Sequence, residues 1–180
     1  MIVELTRDDM LRLWRTRAGL EPLRTDCRVE TVDGTDADSV LEPMMRAWYL
    51  NVLDTADTRL LRTEDVSHEI VLTHCDEHEA VEGMLPERVR RLLEVRMTGW
   101  LNPAVPCTPA EAGRRHALAL NPNTAPGPTH PLCSVDGRRL HLQPFVEEGD
   151  VLVVARAVTD PGPELYVLDE RLLGALGVRL

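Results

Sequence analysis

Over roughly the first 60 residues, apolar positions recur at the three-to-four spacing of a helix, and from residue 66 they alternate as strands do. The stretch "LTRDDMLRLWRTRAGL" offers Thr6 as a helix cap with Asp9 three residues on. Met10, Leu11, Leu13, Trp14 and Ala18 follow at helical spacing, with Gly19 as the stop. A second helix is predicted where Ser39 and Glu42 form a capping box ahead of "PMMRAWYLNVLDTA", with Pro43 near the first turn, where it costs little. Its apolar positions, from Val40 and Leu41 through Met44, Met45, Trp48 and Tyr49 to Leu53, exceed what one core-facing stripe needs. The helix is therefore either central to the fold or half of an interface. Met45, Trp48 and Tyr49 are expected to straddle core and interface.

Beyond residue 66, "HEIVLTH", "AVEGML", "RLLEVRM" and "HALAL" read as strands, and "DVLVVARAV" as a stronger one. In "PLCSVDGRRLHLQP", the pair Asp136-Gly137 marks a two-residue hairpin turn. "LDERLLGALG" reads as a short helix ending at Gly177. The Pro-rich stretches around residues 101–113 and 121–131 read as surface loops that would act as docking arms.

The fold class that follows is α+β: two N-terminal helices, a mainly antiparallel sheet of about six or seven strands, and a short C-terminal helix. Residues 1–180 form a single domain in this reading, with a helical part over about 1–58, a β-rich part over about 66–160 and a tail helix over about 168–177. The βαβ alternation of a dinucleotide-binding sheet is missing, as is any G-x-G-x-x-G.

Composition narrows the function. The 20 basic residues are all arginine, so mechanisms that need a lysine amine, such as a Schiff base or a P-loop, are excluded. Thirty acidic residues bring the formal charge to -10, a field that disfavours nucleic acid and anionic membranes. The serines are Ser39, Ser67 and Ser134, none in a nucleophile-elbow or S-x-x-K context, which argues against nucleophilic serine catalysis. Four separated cysteines without C-x-x-C, behind an acidic start, predict free thiols and a cytoplasmic protein. No stretch is long and apolar enough for a membrane span.

The densest chemistry lies in "LTHCDEHE". His74, Cys75 and His78 are candidate metal ligands, since zinc accepts imidazole and thiolate. On a strand end, however, His74 and Cys75 fall on opposite sides, and the order "HCDEH" is not that of a zincin helix. A polar hairpin tip explains the same residues. The paired arginines Arg90/Arg91, Arg114/Arg115 and Arg138/Arg139 read as solvated faces or salt-bridge donors. No catalytic residue or cofactor is assigned on these grounds, zinc being the alternative.

"MLPERVRRLLEVRMTGW", followed by "VDGRRLHLQP", resembles bacteriophage neck and tail-adaptor proteins, in the placement of Leu85-Pro86, Leu92, Val95, Trp100, Gly137, Leu140, Leu142 and Pro144. The resemblance spans residues 84–144, and the Pro-rich loop at 121–131 has no counterpart in it. It implies a ring-forming connector without catalytic residues, associated with a virion. The expectation is thus a non-enzymatic structural or protein-interaction module acting through a protein partner or self-assembly, with neither nucleic acid nor membrane. The alternatives are a metal-dependent hydrolase or small-molecule-binding protein using His74, Cys75 and His78, and a monomeric module that binds a basic partner through the acidic N-terminal half.

Overall fold

A computed structural model describes residues 1–19, 36–75, 80–118, 126–144 and 151–174, with backbone alone for His74, Cys75, Ala80 and residues 115–118. The fold is mixed α+β, with several helices and sheets dominated by antiparallel pairing. The chain divides into two compact units. Unit 1 joins Met1–Arg62 to Thr159–Leu180, and unit 2 is Thr63–Val158.

In unit 1, β1 (Ile2–Thr6) leads into α1 (Arg7–Arg17) and α2 (Ala37–Thr55). The capping box expected for α1 is present: Asp9 N–H donates to Thr6 Oγ1 (3.2 Å), and Thr6 N–H donates to the Asp9 carboxylate (3.3 Å). Gly19, just past the helix, has φ of +69°, the left-handed conformation that glycine adopts without strain. The start of α2 differs from expectation. Asp36 caps it by accepting from Asp38 N–H at 3.2 Å, so Ser39 lies inside the helix and donates its hydroxyl to the Asp36 carbonyl. Asp is as good a cap as Ser, and an earlier start satisfies more backbone. Glu42 is consequently released from capping and accepts from Arg7 Nε at 2.6 Å.

The strand partner of β1 comes from the far end of the chain. In unit 2, β2 (Thr63–Asp65), β3 (Leu72–Cys75), β4 (Ala80–Met84), β5 (Val89–Met97), β6 (Pro106–Cys107), α3 (Pro109–Leu118), β7 (Leu132–Asp136), β8 (Arg139–Gln143) and β9 (Leu152–Thr159) follow in order, β9 ending at the boundary with unit 1. Back in unit 1, β10 (Leu165–Asp169) pairs antiparallel with β1, and α4 (Glu170–Gly174) follows.

The core of unit 1 is aromatic. Tyr49 and Tyr166 meet edge to face with centroids 4.8 Å apart, and Met10, Met45, Leu53 and Leu168 of the same unit are also fully buried. Tyr49 Oη accepts from Val167 N–H (3.0 Å) and donates to the Val167 carbonyl (3.2 Å). The hydroxyl thereby satisfies backbone groups on the edge of β10 that β1 does not reach.

Unit 2 holds two sheets, ordered β2-β9-β5 and β3-β4-β8-β7-β6, and β6 pairs with β7 in parallel. Alternation sends Val81, Cys133, Leu140 and Leu142 of the larger sheet and Val95, Met97, Ala155 and Ala157 of the smaller into one core with Trp100. Trp100 is 2% exposed and donates its indole N–H to the Pro144 carbonyl at 3.0 Å. Gly83 is required by packing, since a Cβ there would lie 2.9 Å from Ile70 Cγ2.

Several local expectations are corrected. "HALAL" begins in α3 rather than in a strand. Thr108 and Glu111 cap that helix reciprocally (2.9 Å and 3.3 Å), and Pro109 takes the first helical position, which suits it. The hairpin turn is Gly137-Arg138, one residue later than predicted, because Asp136 pairs with Arg139 and Gly137 supplies the positive φ of +59°. "HEIVLTH" is strand only from Leu72, after a 3₁₀ turn at Ser67–Glu69 that Asp65 anchors by accepting from Ser67 N–H at 3.0 Å. The expected loop over 101–113 contains β6 and the start of α3, while 121–125 of the second loop and 175–177 of the tail helix lie outside the described residues.

Candidate functional site

A helix turns 100° per residue, so the apolar positions of α2 form two stripes. Leu41, Met45, Tyr49, Val52 and Leu53 are buried and form the inner one. Met45 and Tyr49 have no exposed surface. Trp48 lies at the margin of the two stripes, half-buried, and meets Trp14 edge to face at 6.2 Å. The outer stripe is Val40, Pro43, Met44 and Ala47, with Val40 49% and Met44 54% exposed. Sequence periodicity shows that α2 has two apolar faces. Which face turns inward is set by α1 and β10, and those partners are not legible from the helix alone.

The outer stripe carries no charge, and charges beside it are paired within unit 1. Arg7 binds Glu42, Arg15 binds Asp38 and Arg46 binds Asp160. The hydrogen bond from Arg15 holds the Asp38 carboxyl below its ordinary range, and that from Arg7 does the same for Glu42. Arg46 also donates to the Gly162 carbonyl at 3.1 Å, and Arg17 stacks over Trp14 at 5.3 Å. The Trp14 indole N–H is buried without a hydrogen-bond partner.

The candidate metal ligands are not gathered by the described structure. His74 and Cys75 close β3 at the register positions opposite Val81 and Ala80, adjacent places that alternate between the two sides of a sheet. His78 lies outside the described residues. Among the described residues, no three His, Cys, Asp or Glu side chains converge in a way that would hold a metal ion.

A cavity of about 320 Å³ in unit 1 is lined by Asp57, Arg59, Leu60 and Arg171. Its guanidinium groups are already engaged, Arg59 by Asp57 and Arg171 by Asp169. Arg59 holds the Asp57 carboxyl down at about 2, and Arg171 keeps that of Asp169 well below the carboxylate range. Of the arginine pairs, Arg138 donates to the Leu85 carbonyl (3.0 and 2.8 Å) and to Glu87 (3.0 Å), which ties the turn of the β7–β8 hairpin to the end of β4.

No protein family, curated protein or solved structure matches the chain. The outer stripe of α2 is an exposed apolar surface among the described residues of unit 1. Among the described residues, no helix is long and apolar enough to cross a membrane.

Proposed function

We propose that this protein is an interaction module that associates with a second copy of itself through the outer face of α2. The observation that supports the reading is the uncharged stripe Val40, Pro43, Met44 and Ala47 with Trp48 at its margin. The net charge of -10 makes general self-contact repulsive, yet at this face the neighbouring carboxylates Asp38, Glu42 and Asp160 are each neutralised by an arginine. A basic partner would find little unpaired charge here, whereas a second uncharged apolar face would fit. The stripe is smaller than the roughly 800 Å² per partner of a standard interface, so association through it alone is expected to be weak.

Stoichiometry separates the forms this role can take. Stripe against stripe closes a two-fold dimer, whereas stripe against a different surface of the next copy builds the ring of a phage-type adaptor. The ring version draws its support from the sequence resemblance over residues 84–144. Native mass spectrometry of the untagged chain over a concentration series tests both. Dimers or a closed ring support the reading, and a monomer at every concentration sinks it.

A further inference from the structure

We infer that Glu82, His141 and Ser134 form a carboxylate–imidazole–hydroxyl set on the outer face of the five-stranded sheet of unit 2, able to take an acyl group from a small ester or thioester. This rests on strand register and stands independently of the α2 reading.

Glu82 on β4 is directly opposite His141 on β8, His141 is opposite Ser134 on β7, and Ser134 is opposite Cys107 on β6. Directly opposed residues share a face, with Cβ atoms ~4.5–5.5 Å apart. The intervening positions Val81, Cys133, Leu140 and Leu142 belong to the core, so this row lies on the other side of the sheet. Glu82 Oε1 is 3.1 Å from His141 Nδ1. A carboxylate at that nitrogen holds the proton there and leaves the Nε2 lone pair available as a base. Ser134 stands on the side of His141 away from Glu82. A cross-strand Glu–His pair alone is ordinary sheet chemistry, but a hydroxyl in register on the far side of the imidazole supplies the missing nucleophile.

The surroundings suit an acyl group. Ser134 is 8% exposed, while the His141 side chain is 36% exposed, so the base can be reached from solvent and the hydroxyl is sheltered. Leu132 and Cys107, packed with Ala112 of α3, form an apolar wall next to Ser134. The Cys107 thiol donates to the Cys133 carbonyl at 3.3 Å, which makes it part of that wall. The Gln143 side-chain oxygen, two residues along β8 from His141, is buried without a hydrogen-bond partner and can accept from a ligand donor.

In the reaction, Ser134 Oγ attacks the acyl carbonyl carbon and its proton passes to His141 Nε2. The C–O or C–S bond to the leaving group breaks, and the departing alcohol or thiol takes that proton. Water then attacks the acyl-serine, again giving a proton to His141, and Ser134 recovers it as the carboxylic acid departs. Glu82 is a positioning residue throughout.

The test is labelling of the full chain by a fluorophosphonate probe, read by intact mass and peptide mapping. One adduct per chain on Ser134 is expected, absent in Ser134→Ala and formed about 100-fold more slowly in His141→Gln. Glu82→Gln should slow labelling at least roughly 10-fold without changing the probe concentration at half-saturation, since a positioning residue affects the chemical step and not binding. Absence of an adduct on Ser134, or an unchanged rate in His141→Gln, overturns the proposal. Should Ser134→Ala fail to fold by circular dichroism, the half-exposed His141→Gln variant decides alone.

Discussion

The second helix of unit 1 and the five-stranded sheet of unit 2 each turn one face to a core, and they finish the other face in opposite ways. On α2 the outward face is apolar and uncharged, with ion pairs along its flanks. On the sheet it carries the polar row Glu82, His141 and Ser134 with Gln143, beside a buried apolar patch of Leu132, Cys107 and Ala112. An apolar remainder is costly in water and favours being covered, while a polar remainder is stable in water and free to carry chemistry. The two proposals follow that difference, docking for the face of α2 and acyl transfer for the face of the sheet.

The largest expected effects come from the buried sides. Replacing Trp100 by Ala removes the largest side chain of the unit 2 core and its bond to Pro144, and should destabilise by about 3–5 kcal/mol in urea unfolding. In unit 1, Tyr49→Phe keeps the ring packing but strands the N–H and C=O of Val167. The expected cost is about 1–3 kcal/mol, measured in the same way. If Tyr49→Phe were neutral while Trp100→Ala was severe, the aromatic core of unit 1 would not depend on the hydroxyl that closes the β10 edge.

Acid should separate the two units more gently. Asp9, Asp38, Glu42 and Asp169 of unit 1 all sit below their ordinary range, each chiefly through a side-chain hydrogen bond, from Thr6, Arg15, Arg7 and Arg171 in turn. A carboxyl with a depressed folded value stabilises above its unfolded value near 4 and loses that contribution as pH falls through the folded value. Among the described residues, unit 2 has fewer such groups, Asp65 and Glu69. Thermal unfolding between about pH 4 and pH 2 should therefore weaken unit 1 first, as read by hydrogen-exchange mass spectrometry of peptides from each unit.

How much of this was legible in the sequence depends on how local the signal is. Thr6, Asp9 and Gly19 define α1 completely because caps act within one turn. The same type of signal, Thr108-Pro109 with Glu111, was present for α3 but lay inside a Pro-rich stretch that reads as loop. β1 could not be recognised, because five residues become a strand only against β10, more than 150 positions away. The Glu82, His141 and Ser134 row was illegible for a related reason. Each residue is unremarkable on its own strand, and only the order β4-β8-β7 sets them side by side. His74, Cys75 and His78 were conspicuous because they are close in sequence, but neighbouring positions on a strand end alternate between its two sides, and His78 lies outside the described residues.

The smallest stability effect should accompany the most informative association effect. Met44→Asp changes an exposed position on the outer stripe of α2 and should alter unfolding free energy by no more than about 0.5 kcal/mol. Sedimentation equilibrium of the wild type and of Met44→Asp, over the same concentration range, tests the docking face most directly. Wild-type mass rising with concentration, while the variant stays at the monomer mass of 20.2 kDa, is the predicted result. A wild type that remains monomeric, or a variant that associates just as well, would contradict it.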